Sequence, residues 1–256
     1  MISGVLLDIA GVLYDGNVPV PGATEAVERL RQSELSLRFV SNTTRSSKAS
    51  VVAQLGRLGF PVAASELFTP AQAALSWLED HKRTPHLLVH PDLEPDFAGV
   101  EQRKGKAVIV GDAGETFDYR RLNRAFRALM EGAEFLALAP NRTFKDADEK
   151  LSLDAGPFVA ALEFGSQRKA TVLGKPSKAF FDAALTSMNC PGAEAVMVGD
   201  DAEADIAGAL KAGLGHALLV RTGKYRQGDE KRFKPRPTAV VEDIGAAVDW
   251  IARKRS

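Results

Sequence analysis

Hydrophobic residues fall along the chain in two alternating rhythms. Residues 4–7 and 37–40 form short apolar runs that read as buried strands, and between them Ala23, Ala26, Val27 and Leu30 recur at i, i+3, i+4 and i+7, the stripe of a helix lying on a sheet. That is a βαβ unit. The alternation continues with a helix through Val51, Leu55 and Leu58, strands at 87–89 and 107–110, and a helix through Leu122, Ala125, Phe126 and Leu129. It resumes towards the carboxyl end. Phe181, Ala184, Leu185 and Met188 mark a helix, residues 195–198 and 217–220 buried strands, 238–241 a shorter strand, and Ile244, Val248 and Ile251 a closing helix. Strands alternating with helices predict an α/β fold with a doubly wound parallel sheet.

Composition narrows the function. With 45% hydrophobic residues in 256, the chain can bury a core of one large or two small domains. Lysine plus arginine and aspartate plus glutamate both total 33, so no global field favours nucleic acid or an anionic membrane, and a small-molecule substrate fits better. The lone Cys190 forms no intramolecular disulfide, and no apolar run approaches the roughly 18 residues of a spanning helix. A soluble cytoplasmic protein is expected.

Parallel sheets bind ligands beyond the carboxyl ends of their strands, which directs attention to polar residues there. Asp8 ends the first strand and Gly11 opens a turn; alone, such an aspartate fits a cap as well as a nucleophile. Ser41 and Asn42 end the second predicted strand and suit either phosphate binding or helix capping. Lys175 sits in the turn Gly174-Lys175-Pro176, where a solvated lysine is the plainer alternative. Asp200 and Asp201 follow a buried strand, with Asp205 beyond, and adjacent aspartates there are expensive to desolvate without a cation. Together they supply what phosphoryl transfer to a carboxylate needs: a nucleophile, anions for a hard cation, a hydrogen-bond donor and a lysine.

In order and context these motifs resemble the haloacid dehalogenase (HAD) superfamily. Asp8-Ile9-x-Gly11-Val12-Leu13-Tyr14, Gly156-Pro157-Phe158, Val172-x-Gly174-Lys175-Pro176 and Arg221-Thr222-Gly223-Lys224-Tyr225-Arg226 are similar to the subfamily of the phospholysine and phosphohistidine phosphatases. The resemblance implies a Rossmann-like core with an inserted α/β cap. Asp8 and Ser41 lie 33 residues apart, Ser41 and Lys175 134 apart, so the insertion falls in the second gap. Residues 1–70 and 172–256 should form the core and 71–171 the cap that chooses the substrate, with Asp112, Glu115 and Asn141 as contacts or plain turn caps.

The resemblance also implies a mechanism. Asp8 takes the phosphoryl group; Ser41, Asn42 and Lys175 hold its oxygens; Mg²⁺ is bound by Asp8, the Ala10 carbonyl and Asp200, with Asp201 and Asp205 as ligands or anchors. A small phosphorylated substrate and a homodimer through the cap follow from the same likeness. One position departs. Most HAD phosphatases carry a second aspartate, the general acid, where Ala10 stands, so alkyl phosphates should react slowly and phosphoramidates or pyrophosphate better. Loss of that acid also fits a silent protein that binds a phosphorylated partner. Phosphonoacetaldehyde hydrolases share the alanine, but the 33-residue gap has no room for their lysine-bearing cap.

Overall fold

A computed structural model describes residues 1–145, without the side chain of Lys145, and 150–255. The chain divides into two compact units, one of Met1–Ser41, Val51–Phe68 and Lys175–Ser256, the other of Asn42–Ser50 and Thr69–Gly174.

The first unit is built on a six-stranded parallel sheet. From one edge to the other its strands are Ala239–Val241, His216–Val220, Ala195–Gly199, Gly4–Asp8, Ser36–Val40 and Leu67–Phe68. Order reverses beside Gly4–Asp8, as in other doubly wound sheets. Val5, Leu6 and Leu7 are fully buried, as are Val196 to Val198 and Leu218 to Val220, because helices cover both faces of a parallel sheet. Ala23–Gln32 turns its four buried residues, Ala23, Ala26, Val27 and Leu30, onto the sheet, and Ile244–Arg255 does the same with Ile244, Ala247, Val248 and Ile251.

In the second unit, Arg83–Leu88, Gly105–Val110, Glu134–Ala137 and Thr171–Val172 make a four-stranded parallel sheet. Tyr119–Met130 and Ala155–Ser166 pack on it through Ala125, Leu129, Val159 and Leu162. A hairpin of Thr143–Lys145 and Leu151–Leu153 adds a second small sheet. Among the described residues no helix is long and apolar enough to cross a membrane.

Candidate active site

Strand register brings the acidic residues together. Leu7 lies opposite Val198 in neighbouring parallel strands, so Asp8 and Asp200 emerge together at the carboxyl ends of two adjacent strands. Asp205 arrives by a different route. The backbone N–H groups of Asp205 and Ile206 both donate to the Asp201 carbonyl, at 3.0 and 3.2 Å, which widens the turn Ala202–Ala207 to the π form. Carboxylate oxygens of Asp8, Asp200 and Asp205, all buried, lie within 4.8 Å of one another.

One cation sits among them. Lys175 is 3% exposed, and its Nζ stands 2.5 Å from Asp8 Oδ1 and 2.6 Å from Asp205 Oδ1. Burial alone would lower the lysine pKa, but Asp205 and Asp8 outweigh it and hold the ammonium above its ordinary value. The Lys175 ammonium does not balance three carboxylates by itself, and Lys224 offsets Asp200 only in part. Burial, then the charges of Asp8 and Asp205, push Asp200 up to about 8, and burial with Asp8 and Asp201 pushes Asp205 up to about 6 against the pull of Lys175. Asp200 Oδ2 accepts the backbone N–H of Lys224 at 2.7 Å, whereas its buried Oδ1 has no hydrogen-bond partner among the described residues. An orphaned oxygen on a carboxylate clustered with two others suits a hard divalent cation, and an all-oxygen donor set disfavours soft metals.

The other predicted residues make contacts of their own. Asp201 is the N-cap of the widened turn: its Oδ1 accepts the N–H groups of Glu203 and Ala204 at 3.0 and 2.9 Å, and its own N–H donates to Asp205 Oδ2 at 3.1 Å. Ala10 bridges to Tyr14, and the next N–H, of Gly11, donates to the Tyr14 carbonyl at 2.7 Å. Burial, then the charge of Asp8, raise the Tyr14 pKa, so the half-buried phenol stays neutral. Ser41 is buried, and its N–H donates to the Phe68 carbonyl at 3.2 Å. Asn42 belongs to the second unit, where its Oδ1 lies 2.7 Å from the place a Cβ on Gly174 would take. There too, Asp112 accepts Arg45 Nε at 2.5 Å and the Gly114 N–H at 3.0 Å, and Asn141 donates to the Asp154 carboxylate. Glu115 is exposed.

Residues 222–224 form part of the site that motif reading left without a role. Thr222 Oγ1 donates to the Gly11 carbonyl, and Lys224 N–H holds Asp200. Gly11 and Gly223 have φ of +79° and +63°, and a Cβ on either would overlap Asp200 Oδ2. Two left-handed glycines therefore let the loops close around one carboxylate.

A family profile described as haloacid dehalogenase-like hydrolase matches residues 5–115, and one described as HAD-hydrolase-like matches 172–247. Human haloacid dehalogenase-like hydrolase domain-containing protein 2 is 44% identical over 250 residues, 98% of this chain and 96% of its own. This chain belongs to the HAD family. Zebrafish (Danio rerio) phospholysine phosphohistidine inorganic pyrophosphate phosphatase is 43% identical over 260 residues, covering 99% of this chain and 96% of its own. NagD from Escherichia coli K-12 superposes with a TM-score of 0.85 at 27% identity over 95% of this chain and 97% of that one. The protein is thus a HAD-family enzyme of the phosphatase group, with a Rossmann-like core.

A pH signature of HAD metal binding follows from Asp200. The folded, metal-free protein keeps this proton to about pH 8, while an unfolded chain releases it near the ordinary carboxylate value of about 4. The folded state binds more protons between those values, so metal-free stability falls as pH rises through them. A bound divalent cation must displace the proton, and its affinity should drop about tenfold per pH unit below 8. Thermal unfolding with EDTA and with Mg²⁺ checks this: the Mg²⁺-induced rise in Tm should be larger at pH 8 than at pH 6. Equal shifts would remove Asp200 from the metal site.

Proposed function

We propose that the protein is a Mg²⁺-dependent phosphohydrolase working through an aspartyl-phosphate at Asp8, with phosphoramidates and pyrophosphate as its favoured substrates. The observation that carries this reading is the buried trio Asp8, Asp200 and Asp205, with Lys175 bridging two members and an orphaned oxygen on the third. Mg²⁺ held by Asp8, Asp200 and the Ala10 carbonyl would supply charge neutralisation for the phosphoryl group.

The chain's own residues do the rest. Asp8 attacks phosphorus while the bond to the leaving group breaks, and Lys175 and Ser41 hold the phosphoryl oxygens. Asp205 fixes the Lys175 ammonium, and Asp201 keeps Asp205 in place through its N–H. Water then attacks the phosphorus of the aspartyl-phosphate, releasing inorganic phosphate and restoring the carboxylate. The unit Asn42–Ser50 with Thr69–Gly174 is read as the substrate-selecting cap, and dimerisation through it is part of the same proposal.

Ala10 selects the substrate class. A positioned acid contributes about 10²- to 10⁴-fold, which a departing alkoxide lacks here. A phosphoramidate protonated on nitrogen leaves as a neutral amine and loses little. The relative named for phospholysine, phosphohistidine and pyrophosphate supports this choice. The test is turnover of an alkyl phosphate and of phosphohistidine by the native protein and by Ala10→Asp. We expect a gain towards 10²-fold on the ester and little on the phosphoramidate, with metal affinity measured alongside. Equal gains on both would break the link between Ala10 and substrate class.

A further inference from the structure

Residues 221–236, between the strands His216–Val220 and Ala239–Val241, carry seven lysines and arginines against two carboxylates, Asp229 and Glu230. Setting them aside leaves 26 of the chain's 33 basic residues and 31 of its 33 acidic ones, so positive charge is concentrated on this one stretch. All seven basic residues are exposed.

The stretch is nevertheless folded, and its two carboxylates are what fold it. Asp229 accepts the Arg226 N–H and the Arg232 guanidinium, both at 2.8 Å, and Glu230 accepts the Gly228 N–H and the Tyr225 hydroxyl, both at 3.1 Å. Arg226, Lys231, Lys234 and Arg236 have no ion-pair partner among the described residues. Cations displayed on a rigid loop recognise a complementary pattern of charge at little entropic cost, unlike those of a flexible tail.

Chemistry decides between anionic partners. Phe233 is half-buried and lies under the Arg232 guanidinium, 5.4 Å from the ring centre, and Tyr225 is half-buried with its hydroxyl engaged. Neither ring is offered to stack on bases or to enter a bilayer. Position points to the substrate instead. A cavity of about 180 Å³ is lined by Asp200, Asp201 and Glu203 together with Lys224, Arg226, Asp229 and Arg232, so the strip begins beside Asp200, whose carboxylate clusters with that of Asp8.

We propose that residues 221–236 are a docking strip for an acidic polypeptide whose carboxylates flank the phosphorylated side chain presented to Asp8. The proposal rests on the phosphohydrolase reading above. Its test uses the full chain with Mg²⁺ and three substrates: p-nitrophenyl phosphate, a short peptide with one phosphohistidine between glutamates, and the same peptide with alanines.

The native protein should prefer the glutamate peptide about tenfold or more in kcat/KM at low ionic strength, and the preference should shrink in high salt. Joint Lys231→Glu, Lys234→Glu and Arg236→Glu substitutions should abolish it, with glutamine at the same positions intermediate. The aryl phosphate has no flanking carboxylates and should change less than about twofold in both variants. Equal kcat/KM for the two peptides, or a preference that survives charge reversal, overturns the docking strip, as does reversal-sensitive binding of anionic vesicles or duplex RNA without peptide preference. Failure of the native protein on all three substrates instead overturns the phosphohydrolase reading.

Discussion

Asp8→Asn is expected to lower turnover by about 10⁴-fold or more, equivalent to roughly 5 kcal/mol of barrier, while the fold stays intact. An amide matches a carboxylate in shape but cannot take up the phosphoryl group. The substitution also leaves Lys175 its partner Asp205. Because the charge of Asp8 helps to raise the pKa of Asp200, the variant relieves repulsion between buried anions. Its metal-free form should therefore unfold at a higher temperature than the native protein at pH 8. Steady-state kinetics and thermal unfolding with chelator check both halves. Residual turnover above about 1% would argue against covalent catalysis through Asp8.

Lys175→Met should have the largest effect on stability. The lysine is buried between Asp8 and Asp205, and methionine fills similar space without the charge. Removing one partner of a buried ionic cluster typically costs about 3 to 5 kcal/mol, because the remaining charges are left uncompensated. At pH 8 without metal the loss should reach that range. It should shrink towards pH 6, as Asp200 and Asp205, with pKa values pushed up to about 8 and about 6, take up protons. Urea unfolding at the two pH values, with EDTA present, measures it. A loss below about 1 kcal/mol at pH 8 would mean that Lys175 does not neutralise the cluster.

Much of the fold was legible because its elements are long or fully apolar. Residues 4–7, 195–198 and 217–220 are uninterrupted apolar runs, and each lies in a central strand of the first sheet. Short elements were less visible. Leu67–Phe68 and Tyr14–Asp15 have two residues each, too few for any periodicity, and Arg83–Leu88 begins four residues before the predicted strand because Arg83, Thr84 and His86 break its apolar run. The grouping of Asn42–Ser50 with the second unit depends on contacts such as Asp112 N–H to Thr44 Oγ1, 68 residues apart, which no local pattern records.

At the site, Asp8 and Asp200 could be singled out because polar residues after apolar strands are conspicuous, and Lys175 because it sits in the turn Gly174-Lys175-Pro176 of the resembled motif. The division of labour between Asp201 and Asp205 could not. It arises from a turn widened by one residue, which aims Asp205 at Lys175 and leaves Asp201 capping the turn. Lys224 escaped for a related reason: it meets Asp200 through its backbone N–H, and a main-chain donor leaves no mark in side-chain chemistry.

Acid quenching during turnover, followed by peptide mapping, tests the central claim most directly. A phosphoryl group transferred to the protein should appear on the peptide that contains Asp8, in an acid-stable and base-labile linkage, and should be absent from Asp8→Asn. Turnover that proceeds with no phosphorylated protein at any quench time, or with the phosphoryl group on another residue, would contradict an aspartyl-phosphate mechanism at Asp8.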